Sequence, residues 1–237
     1  MFKYFGTGSA LEHKTSSVYY NTDRYYDSTF SYYNWIAAHE YFHTITPLNL
    51  HSEKIAKFNF QEADMSRHVW LYEGITDYFA MLLRAQLSGN RSAAGNMAWA
   101  TSTALKHSKQ SMTKSAKNII RKQNIISWIR KIGHIGNFYE KGKLIALGMD
   151  IELMERSNGK RRLLDVILEI KKNYDGTFFQ DSALFTVMEK YMYPGFKDYC
   201  RKYIEGTDIP PYESYFKKLG WTFYPKNSKL STYGNFN

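Results

Sequence analysis

The run WIAAHEYFH, Trp35–His43, places His, Glu and His within five residues of an otherwise apolar and aromatic stretch. If the run is helical, His39 and His43 lie one turn apart on one face with Glu40 offset beside them, because the α-helix repeats every 3.6 residues. Two imidazoles so placed can share one tetrahedral zinc ion, and the Glu then stands beside the position that water takes on such an ion. A catalytic zinc site takes three protein ligands, so the pattern constrains the fold: a second element must return to this helix with the third ligand. Taken alone, the five residues also fit an ordinary pair of buried, hydrogen-bonded histidines.

The helix itself is supported locally. The pattern is helical from about Ser28 to Ile45, with Asp27 or Ser28 as N-cap, and Pro47 forbids continuation. After a polar connection to about Asp64, MSRHVWLYEGITDYFAMLLRAQLSGN predicts a second long helix stopped by Ser88, Gly89 and Asn90. Gly74 in its interior costs roughly 1 kcal/mol relative to Ala, which implies a close approach by another part of the chain. A third helix is expected to about Lys106, then a basic, poorly periodic segment to about Gly136. Further helices are expected at Phe138–Glu155, Leu163–Lys172, Ser182–Tyr191, Phe196–Ile204 and Tyr212–Leu219. Residues 6–20 read as a loop feeding an extended strand. The chain is therefore expected to be mainly α with a small β element at its start.

Bulk properties narrow the chemistry. The single cysteine, Cys200, excludes a disulfide framework or a cysteine metal cluster, so any metal must be held by His and carboxylates. No apolar run of membrane-spanning length and no signal-peptide pattern is present. A cytoplasmic location is expected if this is the full product, and an exported or periplasmic one if an N-terminal region has been removed. The net charge of +10 is concentrated: residues 78–139 hold ten Lys/Arg and no Asp or Glu. No nucleic-acid motif accompanies that charge, so a solvated basic face is expected rather than a nucleic-acid surface.

The segment WLYEGITDYF supplies Glu73 and Asp77, four residues apart on one helix face and far enough downstream for the chain to turn back. This arrangement resembles the gluzincins, zinc peptidases with a thermolysin-like catalytic domain. In their Glu-x-x-x-Asp pattern the Glu is the third ligand and the Asp partners a ligand His. GSALEHKTSS, HEYFH, LYEGITDYF, FYEKGKLIALGMDIELMERSNGKRRLLDVI and YIEGTDIPPYESYFKKLGW follow one another in the order seen in the glycyl aminopeptidase family, from about Gly6 to Tyr224. The resemblance implies one zinc ion per chain on His39, His43 and Glu73, with Glu40 as general base and Asp77 orienting a ligand imidazole. It also implies that Tyr139, in a Tyr-x-Lys-Gly motif, donates to the oxyanion. Glu12 resembles the acidic residue of the strand lining the cleft, where a carboxylate would read a free α-ammonium; a solvated strand Glu is the alternative.

The implied activity is a zinc aminopeptidase releasing small N-terminal residues, Gly or Ala, from peptides with a free N-terminus. The competing readings are a zinc endopeptidase of the same fold and a non-catalytic binding module on the same scaffold. One catalytic domain is expected over 1–237, with a loop and strand (1–27), a zinc-binding helix pair (28–90) and a helical subdomain (91–237). The family's flanking β-rich and PDZ domains are expected to be absent from this chain, and Thr44-Ile45 stands where the family usually has Trp-Asn. His13, His51, His68, His107 and His134 lack ligand spacing to the HEYFH pair and are expected to be structural or surface residues. Oligomeric state is not legible.

Overall fold

The computed structural model describes residues 9–20, 26–59, 61, 64, 66–88, 90–106, 111–113, 137–224 and 229–232. The first elements are two strands, β1 (Ser9–Glu12) and β2 (Ser17–Tyr20), paired antiparallel from Ser9↔Tyr20 to Glu12↔Ser17. The single strand expected over residues 6–20 is thus a hairpin, turned at 13–16, where the His13 N–H donates to the Ser16 carbonyl. The hairpin rests on α1 (Tyr26–Phe42), which begins just ahead of the Asp27 or Ser28 expected as its cap. The same helix ends at Phe42, three residues before Ile45. Bonds from Thr44 Oγ1 to the Tyr41 carbonyl and from Asn49 to the Thr44 carbonyl, both 2.7 Å, hold the chain in turns before and across Pro47.

A short helix, α2 (Glu53–Ala56), precedes the second helical run, which begins with a π-helical turn at Trp70–Gly74 and continues as α3 (Ile75–Ser88). It starts later than the sequence pattern suggests because Ser66–His68 are engaged elsewhere. The Ser66 hydroxyl bonds the Asp181 carboxylate and accepts the His68 N–H at 3.0 Å. His68, fully buried, donates Nε2–H to the Asp181 carbonyl at 2.7 Å and accepts the Trp70 indole N–H on Nδ1 at 3.3 Å. The shorter contact, to the Asp181 carbonyl, and the Trp70 donor fit a neutral His68 with its proton on Nε2, and Arg67 Nε lies 3.2 Å from the same nitrogen.

The next helix, α4 (Asn90–Lys106), packs on α3, and the residues that follow it, 107–110, lie outside the described ones. The basic segment falls largely outside the described residues, including Lys109, Lys114, Lys117, Arg121, Lys122, Arg130 and Lys131; so do His107 and His134. A second π-helical turn, Asn137–Lys141, leads into α5 (Gly142–Arg156). Beyond it lie α6 (Leu163–Asn173), α7 (Leu184–Tyr191), α8 (Phe196–Cys200), which runs on through a π turn to Glu205, and α9 (Tyr212–Lys218). In α6 the buried residues Leu163, Val166, Ile167 and Ile170 follow the i, i+3, i+4, i+7 pattern of a helix covering a core. A C-terminal antiparallel hairpin, β3 (Trp221–Tyr224) with β4 (Lys229–Thr232), was not legible in the sequence.

The core is one cluster centred on α3 and α5, with Trp70, Leu71, Ile75, Tyr78, Leu144, Ile145 and Met149 essentially inaccessible. Asp150, 2% exposed, ties three helices together through this core. It accepts the Tyr78 hydroxyl at 2.5 Å, Arg162 Nε at 3.0 Å and the first backbone N–H of α6 at 2.7 Å. A buried carboxylate is tolerated when paired and fully hydrogen-bonded, as this one is.

Candidate active site

Helix α1 buries the motif face: His39, Glu40 and His43 are 4%, 7% and 3% exposed. The returning element expected from the sequence is the π turn at the head of α3, which brings Glu73 over that face. One ligand atom from each of His39, His43 and Glu73 lies within 4.8 Å of the others. Glu73 Oε2 is 3.2 Å from His39 Nε2 and 3.7 Å from His43 Nε2.

Each imidazole is held by its other nitrogen. His39 Nδ1 meets Asp77 Oδ1 at 3.0 Å, and His43 Nδ1 meets the Thr46 carbonyl at 3.0 Å. Both partners are acceptors, so Nδ1 of each ring is the donor to its partner and Nε2 is the nitrogen turned toward Glu73. The Thr46 carbonyl was not foreseeable from the sequence, since any residue there presents one.

Tyr139 arrives on the second π turn, its ring stacked 5.8 Å from the His39 ring and its hydroxyl near enough to the Glu73 carboxylate for the two to influence each other. The two π turns approach at a glycine pair. A Cβ on Gly74 would lie 2.5 Å from Gly142 Cα and 2.6 Å from the Phe138 carbonyl oxygen, closer than side chains are found. This is the close approach that Gly74 implied, and it sets the spacing between Glu73 and Tyr139. β1 completes the arrangement: Glu12 offers a carboxylate oxygen within 4.8 Å of ligand atoms on Glu40 and His43.

The electrostatics follow from packing many ionisable groups in one dry cleft. Burial works against a charged His39, but the Asp77 and Glu73 carboxylates outweigh it and raise the ring to about 10. Burial pushes Glu40 upward, only partly offset by His43 and His39. For Glu73 burial is overcome by His39 and His43, and for Asp77 by Lys143 and His39, so both carboxyls sit below their usual range. Burial, then the Glu73 charge, drives Tyr139 upward and keeps its hydroxyl a donor at neutral pH. Lys143 escaped the sequence reading altogether: its ammonium lies 3.1 Å from both Asp77 Oδ2 and Glu140 Oε2.

The donor set suits zinc: two imidazole nitrogens and one carboxylate oxygen converge, and both rings are oriented by acceptors on their far side. Glu40 Oε2 adds an independent sign, being buried with no hydrogen-bond partner among the described residues. Such an oxygen is costly unless it has a task. The other histidines stand apart: His13 is exposed, His51 is bonded to the Pro47 carbonyl at 2.7 Å, and His68 belongs to the Asp181 network.

The fold is that of the gluzincin-type metallopeptidases. Over 90% of its length the chain superposes on the crystal structure of an aminopeptidase N family protein from Idiomarina loihiensis, with a TM-score of 0.73 and 20% identity. Over 85% it superposes on an M1 zinc metallopeptidase variant from Deinococcus radiodurans, bound to a Tyr-Ser-Ala substrate, with a TM-score of 0.52 and 16% identity. Residues 32–145 match the model of the family described as M61 glycyl aminopeptidase, so the family resemblance read from the motifs stands on an independent comparison. No curated protein matches the chain. The chain spans 39% and 38% of the lengths of the two solved structures. Among the described residues no helix is long and apolar enough to cross a membrane.

Proposed function

We propose that this chain is a zinc-dependent aminopeptidase that hydrolyses the peptide bond after a small N-terminal residue, Gly or Ala. One observation carries the reading. Three ligand-type atoms of His39, His43 and Glu73 converge beside an unpartnered Glu40 oxygen, with the Glu12 carboxylate in reach of Glu40. His39, His43 and Glu73 would hold the ion, one per chain, and a bound zinc would supply a positive centre that lowers the pKa of water toward neutrality and polarises a carbonyl.

The protein's own groups do the rest. Glu40 accepts the proton of the attacking water and returns it to the leaving amine. Tyr139 donates its hydroxyl to the developing oxyanion. Asp77 and the Thr46 carbonyl keep the two rings turned inward. Glu12 pairs with the substrate's α-ammonium, which restricts cleavage to chain ends. The preference for Gly or Ala follows from the family resemblance, and the description of the matching family model names glycine.

Metal analysis combined with a panel of aminoacyl chromogenic substrates tests this reading. The expected result is about one zinc per chain and fastest release of Gly or Ala. Glu40→Gln should retain the metal and lose nearly all turnover. A Glu40→Gln enzyme as fast as wild type, or full zinc occupancy in both His43→Ala and Glu73→Ala, would overturn it.

A further inference from the structure

Lys143 stands second in α5, next to the Gly142 contact, and its side chain is only 5% exposed. Lysines are almost never so buried unless the ammonium is paired. Here the ammonium has two partners: Glu140 Oε2, in a hydrogen bond of 3.1 Å, and Asp77 Oδ2, in an ion pair of 3.1 Å. Asp77 is wholly inaccessible, and its Oδ2 makes no well-angled hydrogen bond among the described residues. Lys143 is therefore the polar neighbour that the structure gives this oxygen. The other oxygen, Oδ1, meets His39 Nδ1 at 3.0 Å.

We propose that Lys143 is a positioning residue for the metal site: by holding Asp77 Oδ2 it keeps Oδ1 on the His39 ring nitrogen and so fixes how His39 Nε2 is presented to the metal. The proposal rests on the reading of His39 as a ligand. Without the ammonium, Asp77 and Glu140 would be two buried carboxylates around a lost common partner. Asp77 would then have to swing away or take up a proton, and either change spoils its bond to His39. Lys143 also joins the helix that follows Tyr139 to the helix that carries Asp77, so one side chain coordinates both walls of the site.

A purely electrostatic role has the opposite sign. An ammonium near the site repels a cation, so deleting a mere charge would tighten zinc binding, whereas deleting a positioning group weakens it. Zinc dissociation constants, measured by competition with a chromophoric chelator, separate the two for wild type, Lys143→Met, Lys143→Arg, Asp77→Asn and the Lys143→Met/Asp77→Asn double variant. Lys143→Met should weaken zinc by at least about tenfold, the lower end for groups that orient a ligand histidine. Lys143→Arg, which keeps a charged donor for Asp77 Oδ2, should weaken zinc less than Lys143→Met. In the Asp77→Asn background, Lys143→Met should change the constant by less than about twofold, because the group it acts through is already altered. Should Lys143→Met not fold, Lys143→Gln takes its place with the same expectation. Unchanged or tighter binding in the single variant overturns the proposal, as does an equal loss in both backgrounds, which would mark a general structural defect. A wild type that takes up no zinc removes the ligand reading itself, and this inference with it.

Discussion

Replacing Gly74 by alanine probes how the site is held at its spacing. The added Cβ would lie 2.5 Å from Gly142 Cα, 2.6 Å from the Phe138 carbonyl oxygen and 2.8 Å from the Gly142 carbonyl carbon. Comfortable carbon contacts need about 3.5 Å or more, so the two π turns must part by about 1 Å. All three obstructing atoms are backbone, so no side-chain rotation relieves them. Alanine regains roughly 1 kcal/mol of helix propensity, while forced separation of well-packed elements costs about 1–3 kcal/mol and occasionally more. With main chain on both sides the upper end applies, and a net loss of about 2 kcal/mol is expected. The functional loss should be larger, because Glu73 and Tyr139 ride on the two turns that separate, and a misplacement of about 1 Å can cost roughly 100-fold in rate. Urea unfolding gives the stability and single-turnover kinetics on a Gly-containing substrate gives the rate. Gly95→Ala serves as control: nothing lies within 4 Å of its Cβ, so it should stabilise α4 by up to about 1 kcal/mol. If Gly74→Ala proves as stable and as fast as wild type, the glycine crossing does not set the spacing of the site.

Two further outcomes follow from other parts of the structure. His68 is held neutral and lowered from 6.5 to about 4, chiefly by burial, so its contribution is fully present above pH 6.5 and is lost as pH falls toward 4, where the unfolded chain binds a proton the folded one refuses. Two and a half pKa units correspond to about 3 kcal/mol; urea unfolding of the metal-free protein between pH 7 and 4 should show that much more acid sensitivity in wild type than in His68→Gln, and parallel curves would refute the assignment. For Glu12, acetylating the substrate's amine should lower kcat/KM by at least about tenfold, and Glu12→Ala should cost a similar factor on free substrates but little on acetylated ones. Additive losses would detach Glu12 from the amine and favour the endopeptidase reading.

What the sequence determined by itself is what local periodicity can carry. The 3.6-residue repeat placed His39 and Glu40 on one helix with His43 just past its last residue, its N–H still bonded to the His39 carbonyl, and marked out α6 to within a residue of its observed end. Glu73 and Asp77 were legible as a pair because they share a helix face, and the interior glycine at 74 announced a close approach without naming its partner. The tertiary structure decided everything that depends on what a residue meets across the chain. The His39 contacts to Glu73 and Asp77 close over 34 and 38 residues. Lys143 became a member of the site because the head of α5 crosses the π turn before α3 at two glycines, and Thr46 because its carbonyl, a group every residue possesses, faces His43. The late start of the Glu73 helix was set by Asp181, more than a hundred residues away, which engages Ser66 and His68. Local pattern reports which face of an element is dry. Which buried donor finds which buried acceptor is settled only when the elements pack, because the cost of leaving such groups unpaired falls due in the assembled core.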